Sequence, residues 1–310
     1  MESMIRIKWF EELDSTNNEL LRHIRDYDNL SVIAAVSQTA GRGQRGNRWL
    51  SKPGDNLTFS LLLRPEGLPV REVMALTCLA TLAVRDTLRE EGVPAVIKWP
   101  NDIYVGKRKI CGMLVENGLD GTDIDWSVIG IGINLNQTEF PGELLNPISL
   151  KRLTGRSYKL EPFLEKVCRE MERRLPELMS TEGRKGLREA YERDLFQKDI
   201  AATYRDLATG EEFTGTIRGI RPRALYALKP KAGKGPSASR KSVISCNYPR
   251  RAATAAAGSS ARKTALPATR MSTPAFASFP AFWGDTPPST SIRALLPMRF
   301  NSFLTAFTRS

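Results

Sequence analysis

At 310 residues with 41% hydrophobic content, the chain can hold one large or two ordinary domains with a sizeable core, so a globular enzyme is allowed. Its net charge of +12 suggests nucleic acid or an anionic surface only until it is located: residues 221 to 310 hold 15 Lys and Arg against one acid, Asp285, while residues 1 to 220 carry 31 basic and 33 acidic residues, a net −2. Cys78, Cys111, Cys168 and Cys246 are too widely spaced for a zinc site or a dithiol centre, and no stretch reads as a signal peptide or a membrane span; a soluble protein of the reducing cytoplasm is expected.

In chain order, Ile5 to Phe10 reads as a strand, and Asp14-Ser15-Thr16-Asn17-Asn18-Glu19 opens a helix with capping-box spacing between Thr16 and Glu19. Leu20, Leu21, Ile24 and Tyr27 continue at helical spacing. Ser31 to Val36 is a buried-strand pattern; Ser37 to Asn56, rich in Gly, Arg, Ser and Pro, is a long loop. Leu57 to Leu63 is another strand, and Val73, Thr77, Ala80, Val84 and Leu88 mark the core face of a helix. Strands follow at Val96 to Trp99, Asp102 to Val105, Ile110 to Glu116 and Trp126 to Leu135, punctuated by Pro100-Asn101, Gly106-Lys107 and Gly118 to Gly121. Phe163, Val167, Met171 and Leu175 predict a helix, Leu187 to Leu195 another, and Ile200 to Ile220 the opening strands of a small β unit. The pattern predicts an α/β (α+β) protein: a mixed, largely antiparallel sheet with helices on one face. After about Ile220 ten of the 19 prolines occur, no amphipathic period survives, and disorder is expected.

Three segments carry chemistry. Gly41-Arg42-Gly43-Gln44-Arg45-Gly46-Asn47-Arg48-Trp49 matches G-x-G-x-x-G, but Pro53, Gly54 and the lack of an apolar stripe allow no helix to follow, which argues against a dinucleotide fold. What is left is a loop of three arginines able to hold phosphate or carboxylate, closed by Trp49; taken alone it reads equally well as a solvated basic loop. Lys98-Trp99-Pro100-Asn101-Asp102 turns between two strands, with Lys109 at the start of an apolar strand; its ammonium could offset charge where a carboxylate meets a phosphate, and the bland alternative is a hairpin with charged tips. Gly130 and Gly132 alternate in Gly130 to Asn136, leaving room for a flat ligand, or for a bulge or tight packing.

Together with Ser15-Thr16-Asn17, these segments resemble the biotin protein ligase family over about Ile7 to Ile220. The resemblance implies a class II aminoacyl-tRNA-synthetase-like catalytic domain over residues 1–196, the start of an SH3-like C-terminal domain over 197–220, and an ATP-dependent ligase that makes biotinyl-5′-AMP with Mg2+ and passes biotin to a lysine of a biotin carboxyl carrier protein. It further implies biotin contacts from Ser15, Thr16, Asn17, Gln38, Arg42, Gly43, Gln44 and Lys109, adenylate contacts from Trp49, Asn101, Asp102 and Asn134, charge stabilisation by Lys109, Arg42 and Arg45, no protein-held metal, and compatibility with a homodimer. Gln44 departs from the arginine of many relatives, which leaves the loop one cation fewer. The catalytic strand begins almost at Met1, so no operator-binding winged helix is expected, and the acid-poor tail over 221–310 reads as the product of a reading-frame shift near codon 220. Competing readings are a lipoate or octanoyl ligase or transferase of the same fold, whose members lack the Gly41-to-Trp49 loop and the Lys98-to-Asp102 turn, and a nucleic-acid-binding protein using the basic tail with Phe276, Phe279, Phe282 and Trp283.

Overall fold

Period-2 alternation decides where everything sits, because each central strand sends alternate side chains to opposite faces of one sheet. The computed structural model describes residues 3–142, 144, 146–206, 212–220, 226–230 and 244–245. Its large sheet comprises β1 (Arg6–Leu13), β2 (Ser31–Gln38), β3 (Leu57–Leu63), β4 (Ala95–Lys98), β5 (Asp102–Val105), β6 (Arg108–Asp120) and β7 (Asp123–Ile133), in the order β1-β2-β3-β7-β6-β5-β4. Only β1 and β2 pair in parallel; the other neighbours are antiparallel, as expected of a mixed, largely antiparallel sheet.

On one face, Val32, Ala34, Phe59, Leu61, Ile129 and Ile131 pack in the main core beneath α2 (Met74–Glu90), α4 (Leu160–Leu178) and α5 (Thr181–Arg193). The intervening residues Ile33, Leu62 and Val128 face the other way and join Leu20 of α1 (Thr16–Arg22) in a smaller cluster. Helices thus cover both faces, not one: α1, too short for a second full layer, shields only part of the far face and leaves the rest for a cavity. α1 also ends at Arg22, short of Ile24 and Tyr27, and its N-cap is Ser15 without a side-chain cap bond; the expected capping box is absent because the Thr16 hydroxyl is directed to Gln38 and Ser60. A short helix, α3 (Leu150–Thr154), capped by Ser149 and ended by Gly155 at φ 75°, went unpredicted because five residues show no period.

A second sheet, β10-β9-β8-β11, is formed by β8 (Ala201–Asp206), β9 (Glu212–Ile220), β10 (Tyr226–Pro230) and β11 (Ile244–Ser245), all antiparallel. Tyr204 and Ile217 bury into the main core, and Glu192 of α5 accepts from the Ile220 amide at 2.9 Å. β10 and β11 are two short elements beyond Ile220, where no regular element was expected; backbone pairing with β9 and β8 supports them without requiring a side-chain period. The expectations for the remainder of the tail, including the aromatic cluster at Phe276 to Trp283, lie outside the described residues. Among the described residues no helix is long and apolar enough to cross a membrane.

Candidate active site

The α1 face of the sheet holds a cavity of about 240 Å³, lined by Ser15, Thr16, Asn17, Gln38, Arg42 and Lys109 and by the turn from Lys98 to Asp102. This is smaller than the usual range for small-molecule pockets, about 300–1,000 Å³, because the protein's own Trp49 and Lys109 lie in it. Trp49 rests where Gly112 and Gly132 omit side chains: a Cβ on Gly132 would come within 2.3 Å of the indole, and one on Gly112 within 2.9 Å of Lys109. A Cβ on Gly130 would stand 2.0 Å from Asn17 Oδ1. The alternating glycines therefore admit Asn17 and Trp49 in this structure, the close packing that the sequence left open beside a flat ligand. Trp49 Nε1 is buried and has no hydrogen-bond partner among the described residues.

The arginine loop is a tight antiparallel return. Arg42 bridges Arg48, Gly43 N donates to Asn47 O at 2.8 Å and Trp49 N to Gly41 O at 3.0 Å, around a 3-10 turn at Gln44–Gly46 in which Gly46 takes φ 80°. No helix follows, as its sequence requires, so no helix N-terminus is offered to a pyrophosphate.

At the back of the cavity, Gln38 Oε1 accepts from the Thr16 amide at 2.8 Å, and Ser60 Oγ lies 2.7 Å from Thr16 Oγ1 and 2.5 Å from Asn17 Oδ1. Ser60 is completely buried in β3; its polarity inside the run Leu57 to Leu63 was the signal by which sequence reading could have found it. Asn17 Nδ2 donates to Glu116 Oε2 at 2.9 Å, and Arg42 donates to both Glu116 oxygens, from NH1 at 3.1 Å and from NH2 at 2.7 Å. Glu116, which sequence analysis noted only as a strand end, is thus the loop's anchor. Asp14, just before this cluster, accepts from Arg22, whose guanidinium holds the carboxyl well below the usual carboxylate range.

Lys109 owes its place to a bulge. Asp102 pairs with Gly112 and Ile103 with Cys111, but Tyr104 then pairs with Lys109, leaving Ile110 extra. Ile110 and Cys111 both enter the core, so Lys109 is re-aimed to the cavity face, where Nζ lies 2.7 Å from Asp102 Oδ1. Asn101 lines the cavity while its amide donates to Met113 O, tying the turn to β6. Gly43 and Gln44 also line the cavity. Asn134 stands outside the lining; its Nδ2 donates to Ile148 O at 3.1 Å and braces backbone. The Arg45 side chain lies outside the described residues.

Asp102 is the single acid among the lining residues, and among the described residues no three metal-ligating side chains converge. With cations and amides dominating, the cavity suits an anionic ligand with a hydrogen-bonding head.

A mixed sheet bearing such a cavity has counterparts among known proteins: residues 9–134 match the model of the Biotin/lipoate A/B protein ligase family. The chain is 31% identical over 207 residues to the Bifunctional ligase/repressor BirA of Bacillus subtilis, covering 66% of this chain and 62% of that protein. It is 34% identical over 159 residues to the Biotin--[acetyl-CoA-carboxylase] ligase of Paracoccus denitrificans, covering 49% and 65%. Biotin protein ligase from Aquifex aeolicus in complex with biotin and ATP superposes with a TM-score of 0.60 at 25% identity, over 77% of this chain and 98% of that one. The chain is thus similar in sequence and in fold to biotin protein ligases. It spans less than two thirds of the length of these two curated relatives.

Proposed function

We propose that the protein activates biotin with ATP to biotinyl-5′-AMP and transfers the biotinyl group to a lysine of a biotin carboxyl carrier protein in the cytoplasm. The supporting observation is the convergence of Ser15, Thr16, Asn17, Gln38, Arg42, Asp102 and Lys109, drawn from five separated segments, on one cavity. The amide and hydroxyl groups at the back suit the ureido head of biotin; Lys109 and Arg42 suit its carboxylate and the α-phosphate. Trp49 and Asn101 are assigned to the nucleotide side with Asp102, and Gly43 and Gln44 to the loop over the bound carboxylate. Asn134 is assigned to holding the Lys109 strand in place, and Arg45 to the loop's charge. Residues 1–196 form the catalytic domain in this reading and 197–220 begin a smaller one.

A carboxylate is a poor acyl donor. In the first step a biotin carboxylate oxygen forms a bond to the α-phosphorus while the bond from that phosphorus to the bridging oxygen breaks and pyrophosphate departs. Lys109 and Arg42 hold the attacking carboxylate against the phosphorus and offset the charge that gathers there. Magnesium, when bound, would neutralise the phosphates, and Asp102, the one acid in the lining, would help to hold it. In the second step a neutral lysine amine attacks the carbonyl carbon, AMP leaves and a proton is released. The arginine loop excludes water from the anhydride between the steps.

Incubation with biotin, ATP and magnesium should give biotin-dependent pyrophosphate release, followed by biotin on a carrier-domain lysine; lipoate should support neither. Failure of biotin to elicit pyrophosphate from folded protein would overturn the proposal.

A further inference from the structure

We propose that Glu116 is a positioning residue that locks the arginine loop to the head-group end of the cavity; the inference rests on the ligase reading above for the identity of the ligand. The Glu116 side chain is only 8% exposed, and a carboxylate so buried is costly unless its oxygens are well bonded. Both of its partners, Asn17 and Arg42, line the cavity, whereas Glu116 does not, so it touches no ligand and acts through them.

Three segments distant in sequence meet at this carboxylate. Asn17 belongs to α1, Glu116 to β6 and Arg42 to the loop, and the neighbouring Asn18 Oδ1 accepts a further bond from Arg42 NH1 at 2.8 Å. On Asn17, the negative charge sets the amide orientation: Nδ2 faces Glu116 and Oδ1 faces the Ser60 hydroxyl, since the reverse would set a carbonyl against a carboxylate. On Arg42, Glu116 and Asn18 engage three of the five guanidinium hydrogens, and Nε–H has no acceptor among the described residues. A guanidinium pinned by its terminal nitrogens keeps a donor edge in fixed geometry for an anionic oxygen, without reordering its long side chain at each binding event. One carboxylate thereby orients a head-group contact and a loop cation together.

The test uses the full chain and the variants Glu116→Gln, Arg42→Met and the two combined. Without ligand, trypsin should cleave after Arg45 and Arg48 about tenfold faster in each variant than in the wild type, and no faster in the double variant, as expected of two residues forming one tether. Calorimetry should show biotin affinity about tenfold weaker in Glu116→Gln, with the loss in the double variant clearly smaller than the product of the two single losses, since the Arg42 route is shared and only the Asn17 route adds. The double variant removes both charges, so it decides the matter even where Glu116→Gln alone folds poorly. Wild-type cleavage rates in Glu116→Gln, or losses of affinity that multiply in the double variant, would overturn the inference. A wild-type protein that binds no biotin would instead overturn the ligase reading, with the ligand-free proteolysis still deciding whether the tether exists.

Discussion

At the scale of single residues, the site's cations are already partnered. Lys109 is paired with Asp102, and Arg42 with Glu116, so each is placed before a ligand arrives and an anionic substrate must compete for, or share, its charge. Lys109 in particular is delivered by one extra residue in β6, which makes its position specific to the cavity and incidental to the core. Lys109→Ala should therefore leave the far-ultraviolet circular dichroism and the urea midpoint close to wild type, while biotin-dependent pyrophosphate release falls by about 10²–10³, the usual loss when one preorganised charge-stabilising group is removed. Unchanged adenylation would refute the assigned role. The loop motif and the Lys98-to-Asp102 turn could be read directly because their signals are contiguous. Ser60 and Glu116 carry a weaker signal: a polar residue in an apolar strand marks a buried polar contact, but does not say whether that contact is a site or a satisfied part of the core.

At the scale of elements, the sheet requires a helical layer held in register, and an ionic network does this. Arg85 of α2 bonds to its neighbour Asp86 and to Asp194 just beyond α5, Arg89 adds a 2.8 Å bond to Asp194, and Arg174 of α4 reaches Asp86. Arg85 and Arg174 are both 7% exposed, so their charges depend on these acids. Replacing Asp194 by Asn removes one charge from the centre of the network while keeping its shape, and the Ile97 amide bond to the Asp194 carbonyl is untouched. The cost should be about 3 kcal/mol, that of breaking a buried pair, read as a lower urea midpoint at constant slope, with biotin affinity of the folded protein unchanged. A stability loss no larger than that of a surface ion pair would show that the layer is held by apolar packing alone. Sequence periodicity located α2, α4 and α5 through their core faces, yet it could not reveal this network, because each charged member is unremarkable on its own helix.

At the scale of the whole molecule, one core joins elements far apart in the chain. Cys78 in α2, Cys111 in β6 and Cys168 in α4 are buried in it, and burial pushes all three thiols up, Cys168 to about 12. Since the thiolate is the reactive species, native protein at pH 8 should resist alkylation at all three, and under increasing urea the three should become reactive together. Peptide mass spectrometry that finds one of them labelled well before the others would show that the core opens in parts. The second sheet is tied into this same core by Tyr204 and Ile217, so a shifted reading frame near codon 220 remains a hypothesis about how its partner strands arose, and resequencing that recovers an intact frame would end it.

The sequence by itself determined the alternation of apolar faces, the turn chemistry, the arginine loop and, through the motifs, the resemblance to biotin protein ligases. Each is a local property, set by spacing and side-chain type over a few residues. Only the tertiary structure decided that α1 covers the opposite face of the sheet, that Asn17 and Trp49 occupy the room left by Gly130 and Gly132, that a bulge turns Lys109 toward Asp102, and that Glu116 holds Arg42. The physical reason is that a pairing between distant residues depends on strand register and crossing, which place a side chain on one face or the other, and a shift of a single residue reverses the outcome.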